Sequence, residues 1–343
     1  MLKHTLAWAL GALIAAGTAS ADESMLRDDH PQRYTVQPGD TLWDISDRFL
    51  TEPWYWPEIW HENPEIDNPH LIYPGDVIRL TLVDGEPRLT VERGGGTVKL
   101  SPEVRVEELD DAVATIPLGA IRPFLTGDRV VDPGVLEDAP YVVAGGDERV
   151  MSAAGDRVYA RGMPGDPAED WDVVRREEAF VDPETGDTLG VLARRIGTSG
   201  IEASGDPATL RLAEVNREVL AGDRLLERLD SEFRSHFTPR APDANVRGVI
   251  MSVMDGVNQI GQFDVVAINR GTSDGLAVGH VLAIDEKPRT VDDPYAKGDE
   301  EAVTLPPEKQ GELVVFRTFD RMSLGLVMEA TRAMAVGDTV RNP

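Results

Sequence analysis

The chain predicts a two-part fold class. An α+β module of order β-α-α-β over residues 34–81 is followed by a mainly β C-terminal region containing two related small β units. Three observations carry this. Apolar residues recur at helical spacing between two short β patterns in the first part. Beyond residue 110, short β-branched runs are split by Gly, Pro and Asp. Two stretches of that later region also run parallel to each other in sequence.

Residues 1–21 come first. Lys3 precedes an apolar run from Leu6 to Ala16, and small residues end at Ala19-Ser20-Ala21. This is the pattern of a secretory signal peptide cut after Ala21, which predicts export to the periplasm; retention of the run as an N-terminal anchor is the alternative. No later stretch approaches the roughly 20 apolar residues of a membrane helix, so direct membrane insertion is not expected. Residues 22–33 read as a linker.

Tyr34 to Val36 is a short β pattern, Pro38-Gly39 a turn, and Asp40 or Thr41 a helix N-cap. Leu42, Ile45 and Phe49 then share one helical face. "WYWPEIW" follows at residues 54–60, in a chain with 6 Trp, 6 Tyr and 8 Phe. Pro57 suits the first turn of a second helix running to about Asn63. On it Trp56, Ile59 and Trp60 form one stripe, and such a stripe is the usual mark of core. Trp54 and Tyr55 are the pair expected to face outward, and Trp43 is expected to cover the edge where the two helices meet. Leu71-Ile72-Tyr73, Pro74-Gly75-Asp76 and Val77 to Leu80 close the module with a turn and a strand.

"YTVQPGDTLWDIS" followed by "NP" and "LIYPGDVIRL" resembles a LysM domain, the module that binds N-acetylglucosamine-containing glycans such as peptidoglycan. The resemblance implies a shallow groove with Gly39, Asp40, Thr41 and Leu42 on one side. Asn68, Pro69, His70, Leu71, Ile72 and Tyr73 form the other. An N-acetyl group offers an amide to loop backbone and a methyl to an apolar pocket, so no ionised side chain is required. Asp40 carries a competing reading as a helix cap.

Residues 82–109, with Gly94-Gly95-Gly96, read as a linker holding one strand at most. Two β-rich units are expected at 110–238 and 239–343. "TLRLAEVNREVLAGDRLL" (209–226) parallels "SLGLVMEATRAMAVGDTV" (323–340) with one residue inserted. "GDTLGVLARRIG" parallels "QGELVVFRTFD", and "AGDRVYA" parallels "VGHVLAI". Gly-Asp before an apolar pair reads as a turn feeding a strand. The layout as a whole is similar to the type IV pilus secretin-associated (TsaP) family, whose C-terminal half resembles the C-terminal domain of the flagellar assembly protein T. That resemblance implies a periplasmic wall-binding protein whose partner is the outer-membrane secretin, in multiple copies around a ring.

Composition narrows the function classes. Asp and Glu total 61 against 34 Lys and Arg, a formal charge of −27, which disfavours nucleic acid and anionic headgroups as partners. With no Cys there is no thiol nucleophile and no disulfide. The 6 His show no HxH or HExxH, and Ser has no GxSxG or SxxK context. A mainly β C-terminal region is a poor scaffold for a lytic transglycosylase. No catalytic residue, metal or cofactor is expected, and the leading expectation is a non-catalytic anchor. A flagellar or general envelope scaffold and a LysM-targeted hydrolase are the alternatives.

Overall fold

The computed structural model describes residues 25–60, 72–83, 86–92, 113–228, 237–254, 259–295 and 302–343. The expected signal peptide lies outside the described residues. Arg33–Thr35 (β1) pairs antiparallel with Val77–Val83 (β2), with Tyr34 opposite Ile78. Between them stand the helix Leu42–Asp47 (α1), a 3-10 turn at Pro53–Tyr55 and the short helix Trp56–Ile59 (α2). Helical spacing does what was expected of it here. Leu42 and Ile45 are buried from α1, Phe49 just beyond its end, and Trp56 and Ile59 from α2, and all share one core with Ile72 and Ile78. The second helix is shorter than its sequence pattern, because Trp60 already has extended backbone at the C-cap.

Segments on both sides of residues 34–81 add to the module. Within the segment read as a linker, Glu86–Glu92 (β3) pairs along the whole length of β2, from Val77 opposite Glu92 to Val83 opposite Glu86. Its Leu89 is fully buried in the module core. On the other side, in the segment read as an N-terminal linker, Leu26 bridges to Leu50.

Leu118–Thr126 (α3), Arg129–Val131 (β4) and Val135–Asp138 (α4) lead into six strands. These are Tyr141–Gly145 (β5), Arg157–Arg161 (β6), Asp170–Val181 (β7), Thr188–Ala203 (β8), Ala208–Val215 (β9) and Arg224–Glu227 (β10). Their pairings run β5-β6-β9-β8-β7-β10 and return to β5, a closed circuit to which β4 adds on β8. Alternate residues such as Val158 and Ala160, or Leu210 and Leu212, fill one core with Trp171 and Ile196.

A second set follows: Arg247–Val253 (β11), Gln259–Ile260 (β12), Val265–Ile268 (β13), Val281–Asp285 (β14), Thr290–Asp292 (β15), Ala302–Thr304 (β16), Lys309–Thr318 (β17), Ser323–Ala330 (β18), Met334–Ala335 (β19) and Thr339–Arg341 (β20). Six of them form a closed barrel in the order β11-β13-β18-β17-β14-β20. Counted among the six strands of each circuit alone, both connect their strands as 1-2-5-4-3-6. By that count β8 and β17 correspond, as do β9 and β18, and β10 and β20. The third sequence parallel does not fit. "AGDRVYA" contains β6, the second strand of its circuit, whereas "VGHVLAI" contains β14, the third. The strand in the place of β6 is β13.

The second barrel is buried on both faces. Val266, Ile268, Leu282, Ile284, Leu313 and Val315 point inward, and Val265, Ala267, Val281, Val314 and Phe316 point outward. That outer layer is covered by Ile121 and Phe124 of α3, Phe180 of β7, Leu192 of β8 and Trp43 of α1, with Trp54 packed against it. The N-terminal module, α3 and both circuits therefore meet in one apolar junction.

Candidate functional site

The two loops expected to form a groove are built from one local device used twice. At Gln37-Pro38-Gly39-Asp40, Gly39 takes φ +92° and Asp40 turns its carboxylate back to accept from the Gln37 N–H at 2.8 Å. At Tyr73-Pro74-Gly75-Asp76, Gly75 takes φ +95° and Asp76 accepts from the Tyr73 N–H at 3.0 Å. Positive φ favours glycine, and the carboxylate satisfies an amide that the turn leaves free. Val36 then clamps the turns together, its N–H donating to Asp76 O and its carbonyl accepting from Gly75 N–H, both at 2.9 Å.

Asp40 thus holds a turn and does not cap the helix. It accepts a second bond from the Tyr34 hydroxyl at 2.8 Å, and Arg48 lies over the Tyr34 ring. Burial, then the bond to Asp40, pushes the Tyr34 phenol above its ordinary range. The N-cap is Thr41, whose hydroxyl accepts from the Asp44 N–H at 3.1 Å while the Asp44 carboxylate accepts from the Thr41 N–H at 3.0 Å. This reciprocal pair is a capping box.

Of the expected groove residues, Gly39 is exposed and Asp40 half-buried, while Thr41 and Leu42 are buried. On the facing side Ile72 is fully buried and Tyr73 half-buried. Asn68, Pro69, His70 and Leu71 lie outside the described residues.

A third segment reaches both loops. Residues Val113 to Ile116 cross from one lip to the other. The Val113 N–H donates to Ile72 O at 2.8 Å, Leu42 N–H donates to Ala114 O at 2.9 Å, and Trp43 N–H donates to Thr115 O at 3.3 Å. Val113 sits in the module core, and Ile116 sits in the junction beside Trp43. Sequence reasoning missed this segment. Its only signal is the apolar stretch "AVATI" directly after the acidic "EELDD".

The aromatic pair expected outside is also placed differently. Trp54 and Tyr55 are both half-buried and meet edge to face at 5.2 Å. Trp54 packs against the junction, where its indole N–H donates to Glu52 at 3.1 Å, while Tyr55 leans on the module core. Trp43 lies in the junction itself.

The polar edge of this junction carries a cluster of its own. Lys309 donates to Glu312 at 2.7 Å and to Glu52 at 3.3 Å. Burial, reinforced by the neighbouring Glu52, pushes the Glu312 carboxyl up to about 8. Burial alone would also raise Glu52, but its contacts with Glu312 and Lys309 outweigh it and hold Glu52 low. Among the described residues no group of three or more His, Asp or Glu is gathered as for a metal, and no helix is long and apolar enough to cross a membrane. His280 is buried, its Nδ1 accepting from the Ala277 N–H at 3.2 Å.

No curated protein matches the chain. The model of the LysM domain family matches residues 34–81, the two Gly-Asp turns and both helices included, so this part of the chain is a LysM domain, a module that binds peptidoglycan or chitin.

Proposed function

We propose that this protein is a non-catalytic peptidoglycan-binding protein of the periplasm that ties an envelope complex to the wall, with the secretin of a type IV pilus system as its partner. The LysM domain at residues 34–81 carries the reading. The leader-like first residues, the Cys-free acidic composition and the resemblance of the whole layout to secretin-associated proteins support the rest. In this reading the LysM domain contacts glycan, and the two β circuits meet the partner. A single shallow groove binds weakly, and copies arrayed around a ring gain avidity on a polymer when their linkers reach. We also infer that the two circuits are related units, from their shared 1-2-5-4-3-6 order and the Gly-Asp turns that precede β10 and β20.

The test is sedimentation with purified sacculi. It uses the full chain and a Val113→Asp variant, which sets a carboxylate among the apolar side chains beneath the groove. Pelleting without release of soluble muropeptides is expected. If neither form pellets, wall binding is wrong, and released fragments would make the protein a hydrolase. Crosslinking in cells should recover secretin peptides on residues 113–343; their absence would reduce the reading to wall binding alone.

A further inference from the structure

Among the described residues, the two sides of the expected LysM groove are bridged by the chain itself. Val113 to Ile116 uses the Leu42 and Trp43 N–H groups on one lip and the Ile72 carbonyl on the other. An acetamido group is a secondary amide with a methyl attached. It offers one carbonyl acceptor, one N–H donor and a small apolar face, and a peptide unit followed by a small side chain offers the same set. A backbone strap and an N-acetylated sugar therefore compete for the same backbone groups. Both cannot hold them at once.

The strap is anchored at each end. Val113 is 5 % exposed in the LysM core and Ile116 is fully buried in the junction. Thr115 is buried between them. Beyond Pro117 the chain runs directly into α3, whose Ile121 and Phe124 pack on the outer layer of the second barrel. Arg317 of that barrel donates to the Phe124 carbonyl at 2.7 Å. Whatever moves α3 on the barrel must also pull on the strap.

We propose that residues 113–116 form an autoinhibitory strap that keeps the LysM groove closed to glycan until α3 or the junction shifts. This rests on the glycan-binding reading of that groove. The apparent affinity of a site that is open only part of the time is reduced by the open fraction. A strap that is released a tenth of the time or less weakens glycan binding about tenfold or more.

The test titrates a soluble N-acetylglucosamine oligomer into the full chain and into Val113→Asp, with melting curves to establish that both are folded. A variant that binds about tenfold more tightly than the unaltered chain supports the strap. Equal affinities overturn it and leave glycan binding intact. If neither chain binds, the glycan reading falls and the strap falls with it. Hydrogen exchange on the unaltered chain gives a readout that needs no variant. Saturating oligomer should speed exchange at the Val113 amide, because displacement frees it from the Ile72 carbonyl. Binding that leaves this amide protected would overturn the proposal.

Discussion

Trp56 is 2 % exposed and meets Trp60 edge to face at 5.9 Å, whereas Trp54, two residues earlier, turns toward the junction with the barrel. Replacing a buried Trp by Ala costs about 3–5 kcal/mol, because the lost transfer energy is joined by the cavity left behind. Trp56→Ala should therefore melt the LysM core in urea titrations, and Trp54→Ala should cost less, since its ring is only half-buried. Glu312 gives a pH prediction of definite sign. Its folded value of about 8 lies above the ordinary 4.5, so the folded chain keeps a proton that the unfolded chain releases. Its contribution is fully present below about 4.5 and is lost as pH rises through about 8. Denaturant midpoints should fall across that window, and Glu312→Gln should flatten the fall.

At the scale of elements, one turn recurs. Asp223 and Asp338 accept from the amides three residues upstream, at Leu220 and Ala335, as Asp40 and Asp76 do in the LysM domain. Asp156 and Asp264 do the same for Ala153 and Gly261. In the last case Phe263 occupies the positive-φ position at +68°. Asp223 also receives both arms of Arg175, at 2.8 and 2.9 Å, and is 5 % exposed. Asp223→Ala should cost about 3–5 kcal/mol in chemical denaturation, because it strands a partly buried guanidinium and an amide. Asp156→Ala should cost less, since its Arg149 partner is largely exposed.

The Gly-Asp turns were legible in the sequence because such a pair states its geometry within four residues, whereas the Phe263-Asp264 turn carries no such mark; the Leu42, Ile45 and Phe49 face was legible because helical period is local. β3 was not. The charged "EPRLTVE" becomes a strand only through its register on β2. The strap across the groove was hidden for the same reason. Its partners Leu42 and Ile72 are far from Val113 in sequence, and no local period points to them. In β13 and β14 every residue is buried, so there is no alternation to tell inner face from outer.

For the whole molecule, the junction decides how the parts unfold. Trp43 of the LysM domain, Ile121 and Phe124 of α3, and Phe316 of the barrel share one apolar cluster, so melting the LysM domain exposes barrel surface. Calorimetry of the full chain should show one cooperative transition. Trp43→Ala, at a site 4 % exposed, should remove about 3–5 kcal/mol and separate a lower-melting LysM transition from the barrels. A single unshifted transition in that variant would show that Trp43 does not couple them.

In the closed second barrel each strand has a neighbour on each side, whereas in the first circuit β10 covers β7 only over Trp171–Val174 and the rest of β7 pairs with β8 alone. An unpaired strand edge is what proteins lend one another when they aggregate or exchange segments. The second barrel therefore offers a partner its side chains and loops, and a partner that adds a strand would find its place beside β4 or the later half of β7.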